Sequence, residues 1–134
     1  MSSKYRAERR AKRQVRTPVM SAVRDEFAMQ LHVSLLQLEK SPDKDAFEAL
    51  AGIFNVVQVA IEHEPRRSHE ARLINGGAMA LNQAERAICA GIVPRAEIPA
   101  IRVAVNAIDQ MLGKLSLEGL YEAMVRLNRR EVSA

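Results

Sequence analysis

Apolar residues recur every three or four positions along most of this chain, and alternation of apolar and polar residues never persists, so the pattern predicts helices and no strands. The first helix is expected from about Pro18 to Lys40, with Met20, Val23, Phe27, Leu31, Leu35 and Leu38 along one face. Ser41 is placed as the cap of the next helix and Pro42 in its first turn, with Asp43 and Asp45 where the helix dipole favours negative charge. In that second helix Phe47, Leu50, Phe54, Val57 and Ile61 form a stripe whose flanks are filled by Ala49, Ile53, Val56 and Ala60. Little polar surface remains between Ala46 and Ile61, which predicts a central position in the packing.

Pro65 ends this helix, and Glu64 to His69 read as a charged connection in which Ser68 caps a third helix. The inner face of the third helix is expected to run through Leu73, Ile74, Ala78, Leu81, Ala84 and Ile88, with Gly91 as its stop. Gly76 and Gly77 fall in its middle. Two internal glycines cost roughly 1.6 to 2 kcal/mol relative to alanine, which points to a break or, since the periodicity resumes in phase, to a close helix crossing.

Pro94 and Pro99 stiffen the segment from Ile92 to Pro99. A fourth helix follows through Ile98, Ile101, Val105, Ile108 and Leu112 to Gly113. Ser116 is placed as the cap of a fifth, with Leu117, Leu120, Met124 and Leu127 inward and Glu118, Glu122, Arg126, Arg129 and Arg130 outward. The last two helices then form an αα-hairpin. The fold class is all-α, a compact bundle of about five helices in a single domain, 18–134, preceded by a basic arm, 1–17. Composition agrees: of 134 residues 48 % are hydrophobic, alanine is frequent, and Tyr5, Phe27, Phe47, Phe54 and Tyr121 are the whole aromatic complement. A domain of this size buries about two-thirds of its unfolded surface, enough to fold without disulfide or metal.

Charge changes the picture. Lys4, Arg6, Arg9, Arg10, Lys12, Arg13 and Arg16 are opposed within the arm only by Glu8, so 1–17 carries seven positive and one negative charge, a net +6. The whole chain has 20 basic and 16 acidic residues, leaving 13 against 15 and a net −2 for the body. The arm has good helix formers but no apolar stripe, so by itself it is expected to be disordered and to become helical only on a partner. A basic arm on a mildly acidic body points to a polyanion, because cations near phosphates release condensed counterions whatever the base sequence. Tyr5 could stack on a base, and Arg126, Arg129 and Arg130 form a secondary basic patch.

Candidate chemistry elsewhere is thin. Glu62, His63, Glu64, His69 and Glu70 cluster around Pro65, but histidines six apart across a proline match neither a helical zinc pair nor a finger, and no metal is expected. Cys89 reads as a buried small hydrophobe and His32 as a solvent-facing side chain. A helix-turn-helix over Ala87 to Ile101 is disfavoured by Pro94 and Pro99, which cannot both lie inside one regular short helix. No phosphate loop, nucleophile elbow or histidine-partnered carboxylate pair is present, so neither an enzyme nor a cofactor is expected. No apolar run is long enough to span a membrane and the N-terminus lacks a secretory h-region. An arginine-rich start shares features with mitochondrial transit peptides, yet only Ser2 and Ser3 supply serine and Glu8 interrupts the charge. The single cysteine fits a reducing cytoplasm, the expected location.

The Lys4-Tyr5-Arg6 start before Pro18, the segment Ala104-Val105-Asn106-Ala107-Ile108-Asp109-Gln110-Met111-Leu112 and the later Leu120-Tyr121-Glu122-Ala123 resemble a group of small helical proteins from proteobacterial phages, plasmids and genomic islands. Some of these carry a Fis-like regulator label, although the C-terminal hairpin here lacks the polar, basic recognition helix of a Fis-type protein. The resemblance implies a non-enzymatic, nucleic-acid-associated regulatory or accessory protein of a mobile genetic element. Its partner would be nucleic acid or an acidic, nucleic-acid-binding protein complex, with no membrane and with a homodimer allowed. The alternative is a protein-binding inhibitor or adaptor, such as a phage-encoded antagonist of a host defence complex of the anti-CRISPR type.

Overall fold

The computed structural model describes residue 22 and residues 24–62, 64–113, 119 and 121–126. Its helices are α1 (24–40), α2 (Lys44–Ile61), α3 (Ser68–Gln83), α4 (Glu85–Cys89), α5 (Ile98–Leu112) and α6 (121–126), with a 3₁₀ turn over Pro65–Arg67. Among the described residues there is no strand, and the fold is all-α. The expected arm, 1–17, lies outside the described residues, as do Met20 and Val23 of the first expected stripe.

α1 turns Leu31, Leu35 and Leu38 into the core, and three residues, 41–43, connect it to α2. The cap at that connection differs from the expected one. Asp43, not Ser41, is the N-cap of α2: its extended backbone lets the carboxylate accept from the Ala46 N–H at 2.8 Å. Pro42 therefore precedes the helix instead of opening it, and is buried. Ser41 belongs to the end of α1, where its N–H donates to the Gln37 carbonyl and its own carbonyl accepts from Gln37 Nε2 at 2.7 Å.

α2 buries Leu50, Ile53, Phe54, Val57 and Ile61 as its pattern predicts. The connection after it is more regular than a charged loop, because the 3₁₀ turn runs directly into α3. Ser68 is the first helical residue and the position before it, Arg67, makes no side-chain cap bond. Arg67 instead bridges Glu64 and Glu70 at 3.6 and 3.8 Å across the junction.

The expected third helix is divided at Ala84, where φ −86 and ψ −5 depart from ideal helical values, and α4 follows from Glu85. The division is not at the glycines. Gly76 is exposed with open space around it, whereas Gly77 is buried where a methyl group would overlap Ala104 Cβ and lie 3.2 Å from the Ala100 carbonyl oxygen on α5. Only one of the pair serves the close crossing. Gly91 ends α4 at φ +76, a left-handed conformation that glycine adopts without penalty.

α5 begins with Pro99 at its second position, where a missing N–H leaves no bond unmade, so this proline is part of the helix and not of the connection. Eight of its 15 residues are buried, against seven of the 18 in α2, so the centre of the packing is α5 more than α2. Two polar contacts align it with α1: Arg102 Nη2 with Glu39 Oε1 at 2.7 Å and His32 Nε2 with Asp109 Oδ2 at 3.5 Å. Seven residues separate the contacts on each helix and they run in opposite order, so α1 and α5 are antiparallel over about two turns.

Candidate functional site

The residues to which the sequence assigns binding are Lys4, Tyr5, Arg6, Arg9, Arg10, Lys12, Arg13 and Arg16, and all lie outside the described residues. The body's contribution begins at Arg24. Its Nη1 donates to the Gly113 carbonyl at 3.4 Å while its buried Nε has no partner, so the N-terminal end of α1 is held beside the C-terminal end of α5. A cation there complements the helix dipole.

Of the secondary patch, Arg126 is described and Arg129 and Arg130 are not. Arg126 is not an uncommitted cation. It lies 3.6 Å from Glu62 at the end of α2 and 3.8 Å from Glu122 one turn earlier, which ties α6 to the body and cancels its charge locally. The inward face of α6 also differs from expectation: Ala123 is buried, while Met124 and Tyr121 are exposed. Leu117, Leu120 and Leu127 lie outside the described residues.

Other body cations are similarly engaged. Arg102 pairs with Glu39, Arg67 with Glu64 and Glu70, and Lys44 with Glu48. Exposed pairs of this kind stabilise by no more than about 1 kcal/mol each, but they lower the positive potential of the body.

A cleft of about 700 Å³ lies between α2, the 3₁₀ turn and α3. Among its lining residues Gln58 Nε2 donates to Asn75 Oδ1 at 2.6 Å, and Glu62, Glu64 and Arg72 also line it. Sequence reasoning missed this cleft, because Gln58 and Asn75 are 17 residues apart on different helices and neither belongs to a motif. Ser68 is also on its lining, so the described lining residues offer amide, hydroxyl and carboxylate groups for hydrogen bonding.

The histidine–carboxylate cluster around Pro65 is partly dispersed by ion pairing: Glu62 faces Arg126, and Glu64 and Glu70 face Arg67. His63 is outside the described residues, and among those described no group of three potential ligands could hold a metal ion. Two single-residue expectations are corrected. Cys89 is exposed, because Ile88 takes the inward position and the next residue is rotated by about 100°. His32 faces Asp109 as well as solvent.

The stretch from Ala87 to Ile101 contains the end of the five-residue α4, a turn and the first four residues of α5. Among the described residues no helix is long and apolar enough to cross a membrane. Comparison with family models, characterised proteins and solved structures finds no match for this chain.

Proposed function

We propose that the protein is a non-enzymatic, nucleic-acid-associated regulatory or accessory protein that contacts polyanion through its basic arm, and that it acts in the cytoplasm. The observation that carries this reading is charge segregation: a net +6 over 1–17 against −2 over the remaining residues. Pairing of Arg67, Arg102 and Arg126 with carboxylates supports it by lowering the positive potential at those three positions of the body. Binding of this kind is dominated by counterion release and varies little with base sequence. A role in a mobile genetic element rests on the resemblance described above.

The test is fluorescence anisotropy of the full chain with unrelated duplex, single-stranded and RNA probes across a salt series. Salt-sensitive binding to all three is expected. No binding at low salt would reject the proposal and favour the inhibitor or adaptor reading, in which the arm enters an acidic protein surface.

A further inference from the structure

α1 is apolar on two opposite sides. Leu31, Leu35 and Leu38 face the core, while Met29, Val33 and Leu36 are 61 %, 58 % and 48 % exposed. With 3.6 residues per turn, the exposed three fall within about 60° of one another, opposite the buried stripe. The outer row continues at both ends through residues that are also exposed: Glu26, Met29, Val33, Leu36 and Lys40. Its steps are three, four, three and four, the spacing by which one helix packs along another. Three large aliphatic side chains in so short a row form a continuous patch, unlike the isolated apolar residues common on surfaces.

We propose that this face pairs with the same face of a second copy of the chain, antiparallel about a two-fold axis at Val33. The order of charges selects both partner and orientation. An acid closes one end of the row and a base the other, so an antiparallel copy sets Glu26 against Lys40 of the second copy twice. Met29 then meets Leu36 of that copy, and Val33 meets its own counterpart. A parallel arrangement would set Glu26 on Glu26 and Lys40 on Lys40, and like charges in register are unfavourable. Such a surface is isologous, complementary to itself with no change in either subunit.

The row from residue 26 to residue 40 is about 21 Å long. One helix face of that length falls short of the roughly 800 Å² per partner of a standard interface, so the dimer is expected to be weak and reversible. Antiparallel pairing sends the N-terminal ends of the two α1 helices to opposite ends of the dimer. The dimer forms whatever the arm binds.

Sedimentation equilibrium of the full chain, from low micromolar to about 0.5 mM, tests the proposal. The mass should rise from monomer to dimer. V33D should abolish the rise with the helical circular dichroism unchanged. E26K and K40E should each weaken association by about tenfold, and E26K with K40E together should restore it to within about threefold of the parent, because the double exchange recreates opposite charges only when the helices are antiparallel. A chain that stays monomeric throughout, a dimer indifferent to V33D, or a double exchange as weak as the single ones would each overturn the proposal.

Discussion

Gly77 on α3 lies against Ala104 on α5 so closely that no side chain fits between them. The contact brings the two helix backbones together at two buried positions, and its neighbour Gly76 takes no part in it.

Replacing the two glycines should therefore have opposite effects. Gly77→Ala introduces a methyl that meets Ala104 and backbone at Ala100, neither of which can rotate away, so overpacking should reach the upper part of about 1 to 3 kcal/mol. The helix-propensity gain of roughly 1 kcal/mol leaves a net loss of the order of 2 kcal/mol. Gly76→Ala meets nothing and should stabilise by about 0.5 to 1 kcal/mol. Urea melts of the two variants read both signs; the same sign for both would refute the crossing.

The α1–α2 connection makes a similar distinction. Asp43→Ala removes the acceptor for the Ala46 N–H and should lower stability by about 0.5 to 2 kcal/mol, whereas Ser41→Ala, which leaves the backbone bonds of Ser41 intact, should change it by less than about 0.5 kcal/mol. Equal losses in denaturant melts would return the cap to Ser41.

Cys89 should react with a thiol reagent such as DTNB in the folded protein, one equivalent per chain and without denaturant, because it is exposed at the end of α4. A thiol that reacts only after unfolding would place it inside.

The sequence of the arm, 1–17, contains no apolar stripe to bury against the bundle. Deleting Met1 to Thr17 should leave the thermal midpoint within a few degrees, and a fall of more than about 8 °C would show that the arm packs on the body.

Nucleic-acid affinity, by contrast, should depend on the arm. With seven cations available, log K against log salt should have a slope no steeper than about −6, since roughly 0.9 counterion is released per phosphate. Neutralising Arg9, Arg10, Lys12 and Arg13 should remove about half of that slope or more and most of the binding. Anisotropy titrations at several salt concentrations give both. Binding that survives this change would move the site to the body.

Periodicity alone determined the helical class, the inward faces of α1, α2 and α5, and the stop at Gly91, because those depend on spacing within one segment or on the conformational freedom of a single residue. The division between basic arm and acidic body is likewise a property of the linear order of charges. What depends on a second segment was decided only in three dimensions. Both glycines looked alike until α5 approached one of them, and Arg126 looked uncommitted until Glu62 was brought beside it. The cleft at Gln58 and Asn75, the pairing of His32 with Asp109, and the outward row on α1 left unpaired by the core arise in the same way. Each follows from the distance between residues remote in the chain, and side-chain spacing along one helix carries no information about that distance.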